Sequence, residues 1–377
     1  MKKKILYVHH SGGLGGAPRS LSLLLGQLNR TLYSVKILCI YKGPVLKLFE
    51  SLNIPLILEE RIYPFHGSTV VRRSFEVFLV NLLGAPLSFF YSLKVLKKEK
   101  PDIIHLNSSC LFVTALASKI LNRRTKVVCH VREPLRNSLA GKIIKFMCYK
   151  LVDHFVAIDH FTGSSMKSNN NIDIIYNPVD FGSYNPTVRS DVLRFELKLD
   201  ANDIVFLYLA RIAPGNGTLE LIKTANHLAI RHPNFHFVLA GLKEDASDNY
   251  SKEVIMACTN NTNIHLMKFR EDVPNLIASS DIVLIPFTEP HFARAAIEAA
   301  AMGKACIGAN IGGVDELILH NRTGYLYDDL LELSEFCVKL GQNADLREKF
   351  GKEAVKFALD NFDVRKSSSR VFAIYER

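Results

Sequence analysis

The residues best suited to chemistry lie in the last third of the chain, where apolar runs alternate with polar loops. An apolar strand is predicted over Asp281–Ile285. Pro286 ends it, and the loop that follows carries Glu289, His291 and Phe292. An Ala-rich helix is predicted directly after this loop, and the unpaired N–H groups at a helix start attract phosphate. A strand, a polar loop and a helix start in this order indicate a site for a phosphorylated ligand.

The helix is predicted to begin near Ala293, and Glu298 lies about one turn inside it. A short strand over Lys304–Ile307 follows, and the small-residue loop after it contains Gly312 and Gly313. The two loops are therefore expected at the same edge of a parallel sheet. In doubly wound α/β domains, that carboxyl edge is where ligands bind.

These residues resemble the nucleotide-sugar half of the retaining GT-B glycosyltransferases of family 4. The family pattern is a Glu, seven residues, a second Glu, then Ala-x-Ala-x-Gly-Lys-Pro-Val-Ile and a Gly-Gly loop. The match runs through Ile297–Ile307 and Ile311–Glu316. The resemblance implies that Glu298 binds the ribose hydroxyls. A solvated helix carboxylate is the alternative interpretation of Glu298.

This sequence departs from the family pattern at three positions. Glu289, which the resemblance implies to face the donor sugar as a catalytic residue, lies nine positions before Glu298 rather than eight. Ala293 stands where the family has Gly, and Ala305 replaces the usual Pro. Around these positions the resemblance implies donor-binding roles for His291, Phe292, Ala293, Arg294, Glu298, Gly312 and Gly313.

A second match follows the strand predicted over Asp203–Leu209. The family pattern Gly-Arg-x-x-x-x-Lys-Gly supplies two cations for the donor diphosphate, and charge on the leaving group is a large part of what such an enzyme must offset. Arg211 matches the arginine, but Asn216 stands in place of the lysine. The resemblance implies donor-binding roles for both residues and a catalytic role for Arg211. A surface ion pair is the alternative role for Arg211. Three residues could replace the missing cation: Lys304, Arg294 and Lys243.

The chain begins with a predicted strand, Lys4–His10, and a Gly-rich turn containing Gly13, Gly15 and Gly16. Pro18 occupies the third glycine position of a dinucleotide fingerprint, and no acid ends the next predicted strand, so a dinucleotide site is not indicated. The resemblance implies that this loop lines a cleft near the acceptor and the donor phosphate. A turn that needs positive φ is the alternative reason for each glycine.

Three further residues in the first half follow the strand predicted over Lys126–Val131. The resemblance implies that His130, Arg132 and Glu133 contact the sugar or the acceptor, with His130 also a catalytic candidate. The alternative is that His130 only satisfies a backbone group at the strand end.

Charge and apolar content separate the two halves. Residues 1–180 contain 25 Lys and Arg against 11 Asp and Glu, a net charge of +14, and the remainder carries −4. The basic half indicates an anionic partner, either a membrane surface or a phosphorylated acceptor, and we expect no nucleic acid. Leu135–Val152 is predicted as a basic amphipathic helix that either packs on its domain or lies on a bilayer. The uncharged run Val77–Leu93 is expected to form a buried or membrane-touching helix pair rather than a span.

Together these features predict an α/β protein of the GT-B type, with two doubly wound Rossmann-like domains facing a cleft. Residues 1–180 would bind the acceptor, 181–360 would bind the nucleotide sugar, and 361–377 would pack back on the first domain. We expect a cytoplasmic enzyme, peripheral at the inner face of the membrane, because the seven cysteines lack metal or disulfide spacing.

The resemblance implies a retaining hexosyl-type glycosyltransferase that uses a UDP- or GDP-sugar and a glycan or lipid-linked acceptor in cell-surface polysaccharide or glycolipid synthesis. No cofactor is expected, and no metal site, because the sequence contains no Asp-x-Asp. Two alternatives stay open. One is a catalytically weakened GT-B protein that binds nucleotide or polyanion without transfer, and the other is a GT-B nucleotide-sugar epimerase or hydrolase.

Overall fold

The computed structural model describes residues 2–69, 74–166 and 171–377. The chain divides into two compact units, the first comprising Met1–Pro178 with Val364–Arg377 and the second comprising Val179–Asp363. The sequence prediction placed the boundary at 180/181 and the returning segment at 361–377.

In the first unit the described residues form a seven-stranded parallel sheet in the order β3-β2-β1-β4-β5-β6-β7. Its elements in chain order are β1 Lys3–His9, α1 Gly16–Gly26, β2 Tyr33–Cys39, α2 Val45–Glu50, β3 Leu56–Leu58, α3 Phe75–Glu99, β4 Ile103–Leu106, α4 Phe112–Leu121, β5 Lys126–Val131, α5 Leu139–Leu151, β6 His154–Ala157, α6 His160–Met166 and β7 Ile172–Ile174.

The second unit carries a six-stranded parallel sheet in the order β10-β9-β8-β11-β12-β13. Its elements are α7 Val192–Leu197, β8 Ile204–Leu209, α8 Thr218–Arg231, β9 Phe235–Leu242, α9 Asn249–Cys258, β10 Ile264–Lys268, α10 Val273–Ala278, β11 Ile282–Ile285, α11 Arg294–Ala301, β12 Ala305–Ala309, β13 Gly324–Tyr327, α12 Leu330–Gly341 and α13 Ala344–Asn361. The last helix, α14 Val364–Glu376, belongs to the first unit.

The central strands of both sheets are buried on both faces, as apolar runs in parallel sheets require. β5 and β11 are buried along nearly their whole length, and each sheet packs its apolar side chains against helices. In each sheet the first strand, β1 in the first unit and β8 in the second, is central. The next two strands are added on one side of it, and the later strands are added on its other side. Strand order therefore reverses between β1 and β4 and between β8 and β11, and the loops after these strands lie at the edge where doubly wound α/β domains bind ligands.

Two predicted elements differ from the structure. The run Val77–Leu93 lies in one continuous helix, α3, which contains Pro86 and begins with a Ser74 side-chain cap, so the predicted helix pair is wrong. A helix is also predicted from the sequence over Val314–His320, but this segment is a series of turns in which Val314, Leu317 and Ile318 are buried. The strand predicted over Lys126–Val131 is confirmed with the same bounds.

Candidate active site

At the reversal point of the second sheet, the loops that follow β8 and β11 are joined by hydrogen bonds. The backbone N–H groups of Thr288 and Glu289 donate to the Gly215 carbonyl at 3.1 and 3.2 Å. The Thr288 hydroxyl donates to the Pro214 carbonyl at 3.1 Å. The two loops thus form one rigid surface at the carboxyl edge of the sheet.

Gly217 makes this close approach possible. Its φ is +68°, and a Cβ built on it would lie 1.5 Å from the Pro286 carbonyl oxygen. Both the left-handed conformation and the contact exclude a side chain. Gly215 is less constrained, because a Cβ there would lie 2.9 Å from a carboxylate oxygen of Glu289, the end of a flexible side chain. The exposed Glu289 side chain therefore packs over the β8 loop.

Arg211 and His291 bring a cation and an imidazole to this surface. Arg211 is exposed and forms no ion pair with a carboxylate in the described part of the chain, so the surface ion pair is wrong. His291 stacks on Phe287 with ring centroids 4.1 Å apart, and its Nδ1–H donates to the Glu289 carbonyl at 2.8 Å. Burial and the positive charge of Arg211 lower the pKa of His291. The ring is therefore neutral, and its Nε2 is a hydrogen-bond acceptor.

Asn216, which replaces the expected lysine, points into the protein. Its side chain is buried, and Nδ2 donates to the Arg211 carbonyl at 2.7 Å. The Tyr208 hydroxyl donates to the same carbonyl at 3.0 Å. Asn216 therefore fixes the backbone that carries Arg211, a role that the sequence alone did not predict.

Helix α11 begins directly after this loop, at Arg294, with Ala293 as an N-cap that offers no side-chain hydrogen bond. The N-cap side chain therefore satisfies none of the first N–H groups of the helix, the groups that bind anions at helix starts. One turn on, Glu298 is 4% exposed, and its carboxylate accepts from Arg294 Nε at 3.1 Å. The solvated carboxylate is thus wrong, and Glu298 is a buried anion paired with a cation of its own helix. Phe292 is half-buried beside the helix start.

The loop after β12 has a narrower role than expected. Gly313 has φ of +86°, a conformation that favours glycine, and its N–H donates to Asp315 at 3.1 Å. Gly313 therefore sets the turn rather than offering that N–H to a ligand. Gly312 is half-buried beside it.

Each of the three possible replacement cations has a hydrogen-bond or ion-pair partner within the protein. Lys304 lies at the amino end of β12, where its Nζ donates to the carbonyls of Ala278 and Ser280 at 2.8 and 2.6 Å. Burial lowers the pKa of this lysine. Lys243 pairs with Asp248 at 3.4 Å, and Arg294 pairs with Glu298.

In the first unit, Gly13 and Gly15 lie in the loop after β1, at the reversal point of that sheet, and Gly16 is the first residue of α1. A Cβ at Gly13 or Gly15 would meet nothing within 4 Å. Gly13, Gly15 and Gly16 do not have positive φ, so turn conformation does not account for them. The open space beside Gly13 and Gly15 suits close approach of a ligand to the backbone.

His130 and Arg132 are buried in a polar network. Arg132 donates from Nε to Asn107 Oδ1 at 2.8 Å and from a terminal nitrogen to Asn177 Oδ1 at 2.9 Å. Because Asn107 accepts with its oxygen, its Nδ2 donates to His9 Nδ1, 2.9 Å away. His130 Nδ1 lies 3.1 Å from His105 Nε2. This contact is with another side chain, so it does not support the alternative in which His130 satisfies a backbone group at its strand end. Contact between His130 and the acceptor substrate stays a prediction.

The network keeps its histidines neutral. Burial lowers the pKa of His9 to about 2 and that of His105 to about 3, and the positive charge of Arg132 acts in the same direction. The same two causes hold the pKa of His130 well below its usual range. Glu133 is half-buried, and its charge partly offsets the lowering of the His66 pKa by burial.

Sequence reasoning missed the residues that hold these groups in place, chiefly Asn107, Asn177, Gly215 and Thr288. One signal could have identified Asn107. It follows β4, the strand beside β1 at the reversal point, so it must lie at the same edge as the loop after His9.

Comparison with known proteins identifies two family models in the sequence. Residues 14–182 match the model described as Glycosyltransferase Family 4, and residues 190–357 match Glycosyl transferases group 1. The chain is 24% identical over 352 residues to an Escherichia coli UDP-Gal:alpha-D-GlcNAc-diphosphoundecaprenol alpha-1,3-galactosyltransferase, covering 87% of this chain and 84% of the relative.

A Campylobacter jejuni protein, N,N'-diacetylbacillosaminyl-diphospho-undecaprenol alpha-1,3-N-acetylgalactosaminyltransferase, is 24% identical over 333 residues, covering 82% of this chain and 86% of the relative. Among solved structures, Anabaena HepE in complex with UDP and glucose superposes with a TM-score of 0.82 at 24% identity, covering 99% of each chain. At this identity the likeness shows the fold.

Proposed function

Because the chain belongs to the group 1 glycosyltransferases of family 4 and has their GT-B fold, we propose that it transfers a sugar from a UDP-sugar, with retention, to a glycan or lipid-linked acceptor in cell-surface glycan synthesis. That the protein is a glycosyltransferase follows from the family. The UDP donor, the retention and the acceptor class are the proposal.

One observation carries the donor half of the proposal. The loops after β8 and β11 are hydrogen-bonded to one another at the reversal point of the second sheet, with Arg211, His291 and the uncapped start of α11 on them. A cation and a helix N-terminus suit the diphosphate, and the buried carboxylate of Glu298 suits a pair of ribose hydroxyls. HepE, which shares the fold, binds UDP and glucose.

The chemistry follows from where charge develops. As the bond between the sugar and the diphosphate breaks, negative charge grows on the leaving group, and Arg211 and the α11 N-terminus stabilise it. We propose that the acceptor hydroxyl enters from the same face and that the departing phosphate takes its proton. No separate general base is then needed, and His291, whose unprotonated Nε2 can accept from a sugar hydroxyl, orients the donor sugar. We also propose that Arg211 and the α11 N-terminus offset the charge of the diphosphate without a metal ion.

The acceptor class is supported by the relatives. By their names, the E. coli and C. jejuni enzymes both act on sugars carried by undecaprenol diphosphate. The net charge of +14 in residues 1–180 suits a phosphorylated acceptor. We also propose a cytoplasmic location, supported by seven free cysteines, six of them buried.

The test is transfer itself. Purified protein is incubated with UDP-glucose, UDP-galactose and their N-acetyl forms, with undecaprenol-diphosphate-linked GlcNAc as acceptor, and products are followed by mass spectrometry and anomeric NMR. We expect an α-linked product from one donor and none with Arg211→Ala. Sugar release without any acceptor would support the hydrolase or epimerase alternative. UDP binding without product would support the weakened enzyme.

A further inference from the structure

Helix α3 has mostly polar or small residues on its buried face and apolar residues on its exposed face, the reverse of a surface helix on a soluble protein. Along most of the helix its buried face carries polar or small residues, Asn81, Gly84, Ser88 and Ser92, and only its last turns bury apolar residues, Val95 and Leu96. The Asn81 side chain accepts from the His66 N–H and donates to the His66 carbonyl, both at 2.7 Å. The polar side chains of α3 are therefore used to attach the helix to its own unit.

Its outward face is apolar. Phe75 is 73% exposed and Leu83 is 67% exposed. The other large side chains on this face are exposed by about half, among them Phe78, Leu82, Leu87 and Phe90. Helices that face water normally place charged residues there, so this face indicates an apolar environment.

Helix α5 presents a second apolar stripe. Its inward side is already packed, through Gly141, Ile144, Cys148 and Leu151. On the outward side, Leu139, Ile143, Phe146 and Tyr149 recur at helical spacing and are exposed, Phe146 by 61%. Two apolar stripes on one short helix exceed what packing on the domain requires.

The two stripes are neighbours. Phe75 and Phe78 at the start of α3 and Leu139 and Ala140 at the start of α5 line one groove of about 430 Å³. We call the exposed apolar side chains of α3 and α5 the lipid face. With side chains of this size about half exposed, the lipid face amounts to on the order of 1,000 Å². The largest apolar patch on a typical soluble monomer is about 300–600 Å².

The charge beside the lipid face indicates what kind of partner it contacts. Helix α5 carries Lys142, Lys145 and Lys150 and no acidic residue, and Lys142 and Lys150 are exposed beside the apolar stripe. A second copy of the same face would bring like charges together. Apolar side chains flanked by lysines fit an interface of acyl chains and anionic headgroups.

We propose that the lipid face lies on the surface of an anionic bilayer. By length and composition α3 could also cross a membrane. However, Asn81 is hydrogen-bonded to the His66 backbone, and Ser88 accepts from the Tyr63 N–H at 2.7 Å, so one side of the helix is committed to the unit. The helix therefore rests in the interface with its outward side among the lipids.

The experiment is co-sedimentation of the full chain with vesicles, one set of phosphatidylcholine alone and one mixed with phosphatidylglycerol. We expect binding to the mixed vesicles that weakens at high salt. Leu83→Ser combined with Phe146→Ser should lower the bound-to-free ratio by tenfold or more, because about that much is lost when exposed apolar groups no longer enter lipid. Lys142→Ala combined with Lys150→Ala should lower binding to the mixed vesicles only.

The matched control is Phe195→Ser with Ile230→Ser, which removes side chains 86% and 83% exposed in the second unit. It should bind vesicles as the natural protein does. Melting temperature and its rise with UDP, measured for every variant, show that the fold and the donor site are intact. Three results would overturn the proposal. These are a protein that stays in the supernatant with both vesicles, equal loss in the control, or a dimer in solution that the lipid-face variant converts to monomer.

Discussion

The substitution Glu298→Gln tests whether the Glu298 carboxylate binds the ligand or only pairs with Arg294. The Glu298 side chain is 6% exposed and Arg294 is 16% exposed, with 3.0 Å between Oε1 and a terminal guanidinium nitrogen. Glutamine keeps the size of the side chain and one acceptor oxygen for Arg294 Nε. Only the charge and the acceptor capacity of the second oxygen are removed.

The substitution should change two quantities by different amounts, the free energy of unfolding and the affinity for UDP. An exposed ion pair contributes about 0–1 kcal/mol, and breaking a buried one costs about 3–5 kcal/mol. Because this pair is mostly buried and glutamine still accepts from Arg294, we expect the free energy of unfolding to fall by about 1–2 kcal/mol. Hydrogen bonds to a charged acceptor are worth about 1.5–3 kcal/mol, so UDP should bind about 10- to 150-fold more weakly.

Urea unfolding measures the first quantity and isothermal titration with UDP the second. Glu348→Gln is the matched control, because Glu348 forms the same i,i+4 pair with Lys352 but both side chains are exposed. Neither stability nor UDP affinity should change in that control. Unchanged UDP affinity in Glu298→Gln, with the loss of stability present, would refute the ligand role and leave Glu298 as a partner of Arg294 alone.

Three further changes test the same structure. Gly217→Ala should lower the melting temperature and abolish its rise with UDP, because a left-handed alanine costs about 1–2 kcal/mol and its Cβ would strike the Pro286 carbonyl. Gly26→Ala, with nothing within 4 Å of the new carbon, is the control, and an unchanged Gly217→Ala would contradict the loop geometry. Asn216→Lys should lose about 1 kcal/mol of stability with the hydrogen bond to the Arg211 carbonyl, yet bind UDP more tightly through the added cation, as urea unfolding and titration would show. Equal UDP affinity would mean that the cation does not reach the diphosphate. Finally, burial lowers the pKa of several histidines of the first unit, among them His9, His10 and His105, so below about pH 6.5 the unfolded chain binds protons that the folded chain does not. Their stabilisation is complete above that pH and is lost as the pH falls, by up to about 1.4 kcal/mol per pH unit for each histidine. Urea unfolding at neutral and mildly acid pH would measure this, and equal stability at both would contradict it. The pKa values of these three histidines are about 2 for His9, about 4 for His10 and about 3 for His105.

The sequence was sufficient for the sheet and for the position of its loops. Apolar runs such as Lys126–Val131 can be buried only as central strands, and loops after adjacent strands must share an edge. Periodicity failed at Val314–His320, because the same apolar positions are buried by turns instead of a helix. The run Val77–Leu93 was predicted as a helix pair, although α3 continues through Pro86 without interruption.

The hydrogen-bond partners of the side chains could not be predicted from the sequence. Asn216 occupies a lysine position of the pattern, and only the folded loop shows that it donates to the Arg211 carbonyl. The Nδ1 of His105 lies 2.6 Å from the Tyr375 hydroxyl, 270 positions away, a contact that no local spacing indicates. Lys304 was one of three residues that could replace the missing cation, but the direction of β12 places it at the opposite edge of the sheet from the loop after that strand.

The most direct measurement is the melting temperature of the purified protein with UDP-, GDP-, ADP- and CMP-sugars, beside Arg211→Ala and Glu298→Gln. A ligand that binds only the folded chain raises the melting temperature by mass action. We expect a rise with UDP-sugars alone, reduced or lost in both variants. A rise with none of the four, or a rise with UDP-sugar that both variants keep in full, would contradict a UDP-sugar site at the carboxyl edge of the second sheet.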